Sequence, residues 1–111
     1  MKNVIVPQTK QAAKYWRTGL GGVSKGKQEG TFQATIKVGE EWIHLGYFTD
    51  LDMAAYRFNL SACENDLCEF VFDEVEPCEE ALLKWRNKND YNITREQDAH
   101  FRYNQYLKKA A

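Results

Sequence analysis

The sequence predicts an α+β fold: a three-stranded antiparallel sheet packed on one helix, with a C-terminal two-helix extension. Two observations carry most of this expectation. Residues Thr31 to Val38 alternate polar and apolar side chains, the period-two pattern of a half-buried strand, and Gly39-Glu40 separates them from a second run, Glu41 to Phe48. A two-residue Gly-X loop between such runs predicts a tight hairpin, because glycine reaches positive φ without steric cost. Directly afterwards Leu51, Ala54, Ala55, Phe58 and Ala62 recur at helical spacing and form one apolar stripe.

The whole chain sets the frame for these elements. Its 111 residues suit one domain with appendages, and 43% hydrophobic with 28% charged residues is the balance of an ordinary folded protein. Apolar runs are only a few residues long and the start lacks an apolar stretch of secretory length, so an intracellular location with no membrane association is expected. Three cysteines, Cys63, Cys68 and Cys78, are an odd number in such a chain and predict free thiols. Three segments are expected: an N-terminal arm over 1–20, a sheet-plus-helix domain over 21–75 and a helical extension over 76–111.

Taken in order, Val4-Ile5-Val6 is a short apolar run ended by Pro7, and Gln8 to Tyr15 has weak helical character. Tyr15-Trp16-Arg17 sets aromatic rings beside a positive charge, a combination that serves either base stacking or a core. The glycines from Gly19 to Gly22 lack the Lys-Ser/Thr of a phosphate loop and predict a turn into a first strand near Val23 to Lys25. Within the hairpin, alternation sends Phe32, Ala34, Ile36, Val38, Ile43 and Leu45 to one face. Gln33, Thr35, Lys37, Trp42 and His44 go to the other.

The helix is expected from Leu51 to about Glu64, with Thr49 as N-cap, Asp52 completing a capping box, and Phe48 and Met53 as a hydrophobic staple. A second stripe of Met53, Tyr56, Leu60 and Cys63 predicts that another element packs beside the sheet. Asn65-Asp66 ends the helix, and Leu67 to Val75 reads as an extended run with Phe70 and Phe72 on one side. Pro77 opens a helix running to about Asn87 with Ala81, Leu82 and Trp85 inward; Thr94 and Gln97 cap a last helix from Arg95 to about Lys109.

Charge is strongly segmented. Seven basic residues against three acids give +4 over 1–48, one against ten gives −9 over 49–80, and seven against three give +4 over 81–111. Such blocks predict regions of opposite sign on the surface.

The order Gly22-Val23, Phe32-x-Ala34-x-Ile36-x-Val38, Ile43-His44-Leu45-Gly46-Tyr47-Phe48, Ala54-Ala55 and Phe58, closing with Glu69-Phe70, resembles the Apetala-two/ethylene-response-factor DNA-binding domain. Its short phage, bacterial and protist forms are the most similar. The resemblance spans Gly21 to Phe70 and implies a sheet whose outer face lies on nucleic acid, with contacts at Ser24, Gly26, Thr35, Lys37, Trp42 and His44. Plant members carry arginine at several positions held here by Ser24, Gly26, Lys37 and Trp42, and arginine is the side chain that reads guanine bidentately.

The resulting expectation is a small non-enzymatic protein that binds duplex DNA or structured RNA through Ser24, Lys25, Lys27, Thr35, Lys37, Trp42 and His44. The alternative is an interaction or structural component, such as a ribonucleoprotein subunit or a phage inhibitor of a host factor. It would engage a protein through residues 50–80 and the C-terminal helices. No cofactor, catalytic set or metal site is implied: Cys63, Cys68 and Cys78 with His44 or His100 lack the short C-x2-C clamp, and neither histidine has a carboxylate in register.

Overall fold

Turn chemistry and alternation act together in the central hairpin. In a computed structural model, which describes residues 14–89 and 93–110, Phe32–Val38 (β3) and Glu41–Phe48 (β4) pair antiparallel across Gly39-Glu40. Gly39 has φ 66° while Glu40 stays at negative φ, the pattern of a mirror-image hairpin turn. Gly21–Lys25 (β2) pairs with β3, and Trp16–Arg17 (β1) pairs with β2, so the antiparallel sheet runs β1-β2-β3-β4.

The sheet therefore has four strands where the sequence predicts three. The fourth depends on glycine. A Cβ at Gly22 would collide with the Tyr15 carbonyl oxygen, and one at Gly21 with the Thr35 carbonyl oxygen, so both residues let neighbouring backbones close in. Val23 N–H then donates to Tyr15 O, and Lys37 N–H to Leu20 O, each at 2.7 Å. Tyr15 and the two residues after it thus leave the expected arm for the core and the sheet. The Val4-Ile5-Val6 run, and all but the last residues of the weak helix, lie outside the described residues.

Pairing in β4 breaks phase once. Thr35 faces His44 but Ala34 faces Gly46, which leaves Leu45 as an unpaired bulge residue beside Gly46 at φ 135°. Beyond it Tyr47 joins the face of Gln33 and Phe48 joins the face of Phe32.

Leu51–Glu64 (α1) has the predicted bounds, but its N-cap is Asp50 rather than Thr49. The Asp50 carboxylate accepts from Met53 N–H and also from Cys78 N–H, both at 3.0 Å, so one charged cap holds two segments. Asp52 closes no capping box. It accepts instead from the Tyr15 hydroxyl and from Glu76 N–H, each at 3.0 Å. Burial and then this carboxylate push the Tyr15 phenol up to about 12. Phe48 and Met53 are buried in the core, though the shifted cap removes their staple register.

Ala54, Ala55 and Ala62 are fully buried, and their small side chains let α1 approach the sheet. Phe58 fills the volume between them, its ring 5.0 Å from that of Phe72. The second stripe packs against Ile93–Ala110 (α3), where Ala99 is buried.

The end of α1 is a Schellman turn: Leu67 N–H donates to Ala62 O at 2.7 Å and Asp66 N–H to Cys63 O at 3.3 Å, with Asp66 at φ 62°. That left-handed position favours glycine, and the Asp66 to Arg102 ion pair is largely solvent-exposed and worth little. Asp66→Gly should raise stability by about 0.5–1 kcal/mol, read as a higher urea midpoint at unchanged slope.

After this turn the predicted extended run does not form. Cys68–Phe70 is a 3-10 turn, and the backbone that follows is satisfied by side chains rather than by a strand. Arg17 donates from Nε to Phe70 O at 2.6 Å and from Nη2 to Val71 O at 3.0 Å, with its guanidinium over the Phe72 ring. Asn59 accepts from Phe72 N–H at 2.8 Å and donates to Phe72 O at 3.1 Å, matching both backbone groups of one residue.

Glu79–Asn89 (α2) begins two residues after Pro77 and buries Trp85. Because α3 starts at Ile93, Thr94 lies inside the helix and not at its cap. The charge blocks meet at a few points, while Glu69, Asp73, Glu74, Glu76, Glu79 and Glu80 of the acidic block are exposed. Arg95 makes two bonds to Glu64 at 3.0 and 3.1 Å, Arg102 reaches Asp66 at 3.4 Å, and Arg86 grips Glu96 at 2.7 and 2.9 Å. Basic residues of α2 and α3 thus meet acids of α1, its C-terminal turn and α3. Among the described residues no helix is long and apolar enough to cross a membrane.

Candidate nucleic-acid interface

The face of the sheet turned away from α1 is built by four strands contributing alternate residues. β3 supplies Gln33, Thr35 and Lys37, and β4 supplies Trp42, His44 and, past the bulge, Tyr47. β2 adds Gly22 and Ser24, and β1 adds Trp16 opposite Gly22. Because Gly22 has no side chain, the Trp16 and Trp42 rings meet across the sheet. They are nearly parallel, 6° between planes and 6.5 Å between centroids. Farther along, His44 and Tyr47 pack at 4.6 Å.

The structure brings together four of the expected site residues closely. Thr35 lies directly opposite His44, and Lys37 opposite Trp42 with its Nζ 6.0 Å from the ring centroid. Ser24 joins them from β2 opposite Gln33. Lys27, in the β2 to β3 loop, comes near enough for its charge to act on His44. Burial and then Lys27 hold the His44 imidazole below its usual range, which favours a neutral ring at neutral pH. Lys25 is the exception: it pairs with Phe32, and that register puts it on the rim of the helix-bearing side.

Two aromatic residues of this face escaped the sequence-based site. Trp16 belongs to a strand of only two residues, which carries no periodicity. Tyr47 would point inward under strict alternation, and Gly46 was the signal of the bulge that turns it outward.

The electrostatics are modest. The face carries Lys37 with Lys27 nearby, and none of the five arginines lies on it. Arg17 is turned under the sheet towards Phe70 to Phe72, while Arg57, Arg86, Arg95 and Arg102 engage Glu64, Glu96 and Asp66 on the helical side. Two hydroxyls of the face, Ser24 Oγ and Thr35 Oγ1, are buried, with the residues 2% and 5% exposed, and have no hydrogen-bond partner among the described residues. A buried hydroxyl left unpaired costs about 1–3 kcal/mol, which marks both as unusual features of a folded surface.

The thiols do not converge. Cys63 and Cys68 are buried together at the C-terminal end of α1, where burial and then the neighbouring Cys68 thiol push Cys63 up. Cys78 is exposed and bonded to the cap at the opposite end of that helix. Among the described residues no group of three or more His, Cys, Asp or Glu side chains is placed to hold a metal ion. No family model, curated protein or solved structure matches the chain.

Proposed function

We propose that this protein binds nucleic acid through the outer face of its sheet, as a binding module of the Apetala-two type rather than a catalyst. One observation carries the reading: Trp16, Trp42, His44 and Tyr47 gather on one sheet face with Lys37, Thr35 and Ser24, a set able to stack, to neutralise phosphate and to hydrogen-bond. The order of β2, β3, β4 and α1 supports the same reading, since it is the order that the resemblance implies.

Titration of DNA and RNA oligonucleotides across salt tests it. With about two phosphates neutralised by Lys37 and Lys27, log affinity should fall against log salt with a slope of about −1.5 to −2. Lys37→Glu combined with Trp42→Ala should abolish binding while circular dichroism stays native. Absence of binding by the wild type at low ionic strength would overturn the proposal. A protein partner on the helical side is the second reading, favoured by the exposed Leu83, Phe101 and Leu107. In that case the double variant keeps its partner.

A further inference from the structure

We infer that the nucleic acid held on this face is unpaired, its bases stacked on two aromatic platforms, Trp16 with Trp42 and His44 with Tyr47. The inference rests on the nucleic-acid reading above and narrows it to a strand whose base faces are free.

The first argument is what the platforms present. Trp42 and Tyr47 are 38% and 45% exposed, so each platform offers an aromatic surface to solvent. In a duplex the base faces are covered by their neighbours and only edges reach the grooves, leaving an exposed indole little but sugar and methyl groups to meet. An unpaired base offers its whole π face, and aromatic residues on a sheet are the usual means of holding it.

Spacing points the same way. By register on β3, Trp42 faces Lys37, His44 faces Thr35 and Tyr47 faces Gln33, so the second platform extends from about 7 to about 13 Å beyond Trp42 along the strand. Successive bases of a duplex strand rise only about 3.4 Å, so two platforms this far apart suit an extended chain.

Charge supplies the third argument. A duplex binder gains most of its affinity from phosphate neutralisation and much of its specificity from arginine at base edges. Here the arginines are committed to carbonyl and carboxylate partners on the other side of the sheet. Only a few lysines accompany the rings. Stacking is the largest attractive contribution this surface can make.

The two hydroxyls without a partner among the described residues lie beneath this surface. Ser24 and Thr35 sit on β2 and β3 among the rings and are already desolvated in the free protein. His44, neutral for the reasons given above, adds a ring nitrogen without adding charge.

Intrinsic tryptophan fluorescence of the full chain, titrated at low salt, tests the proposal with three probes: oligouridine and oligothymidine of about ten nucleotides, and a mixed-sequence duplex of about ten base pairs. The expected result is quenching by one or both single strands at affinities at least about tenfold above the duplex. Trp42→Ala should weaken single-strand binding by about 5- to 150-fold, and Trp42→Phe should recover most of the loss. Tyr47→Ala gives a second reading of the same loss should Trp42→Ala fail to fold. Duplex binding equal to or tighter than single-strand binding overturns the unpaired-base inference while leaving nucleic-acid binding in place. So does wild-type affinity in folded Trp42→Ala and Tyr47→Ala. Failure of all three probes removes the nucleic-acid reading itself.

Discussion

Phe58→Ala should destabilise the fold by about 3–5 kcal/mol, a large part of the 5–15 kcal/mol typical of a domain of this size. Phe58 is the largest fully buried side chain among the described residues. It stands between the sheet and the 70–72 segment, its ring 5.0 Å from Phe72. The neighbouring core residues cannot close over the space left behind. Ala54, Ala55 and Ala62 have no length to extend, and Arg17 and Asn59 hold the Phe72 backbone where it is. The cost is therefore lost transfer energy plus an unfilled cavity, read as a lower urea midpoint with unchanged slope. A loss below about 1 kcal/mol would mean that the 70–75 segment collapses inward.

Glu96→Ala should cost about 3 kcal/mol. The Glu96 carboxylate is almost wholly buried, gripped by Arg86 through two bonds at 2.7 and 2.9 Å, and it accepts from the Tyr56 hydroxyl, which also bonds His100 at 3.0 Å. Truncation leaves the Arg86 guanidinium and the Tyr56 hydroxyl without their shared acceptor, and removing one member of a buried pair typically costs about 3–5 kcal/mol. Arg86 is partly exposed and recovers some hydration, which places the effect at the low end. The same cluster governs acid stability. Burial alone would raise the Glu96 carboxyl, but the Arg86 and Tyr56 hydrogen bonds outweigh it and hold the group below its ordinary 4.5. A depressed folded-state value means that its stabilisation is complete above about pH 4.5 and is lost as pH falls through the lower native value. Glu96→Ala should remove this part of the acid-induced loss, measured by urea unfolding at pH 3 to 6.

The hairpin, the bounds of α1 and both of its apolar stripes were legible in the sequence because each is a repeated local pattern. Four residues of the outer sheet face, Thr35, Lys37, Trp42 and His44, followed from the same alternation. The features that were not legible depend on interactions across long sequence distances. Thr49 and Asp50 are both competent caps, and the choice falls to Asp50, whose carboxylate also holds Cys78 N–H from 28 residues away. The 67–75 segment reads as a strand by its aromatic spacing, yet the side chains of Arg17 and Asn59 take the hydrogen bonds that a strand partner would. Trp16 reached the face through Gly22, a position whose meaning is the absence of a side chain. Most of the acidic block is exposed, as its charge suggests, but the carboxylates of Asp50, Asp52 and Glu64 act as caps and clasps within the fold.

The single unpaired residue in β4 works on the strand as an inserted letter works on a reading frame. Upstream of Leu45 the message is Trp42 and His44 outward; downstream it is Tyr47 outward and Phe48 inward. Pair the same residues without that bulge and the downstream ones trade places: Tyr47 comes opposite Phe32 and enters the core, and Phe48 stands on the outer face. A substitution of Gly46 that closes the bulge, with no change at any aromatic position, is thus a direct route by which a relative of this chain could keep its hairpin and helix and present a different surface.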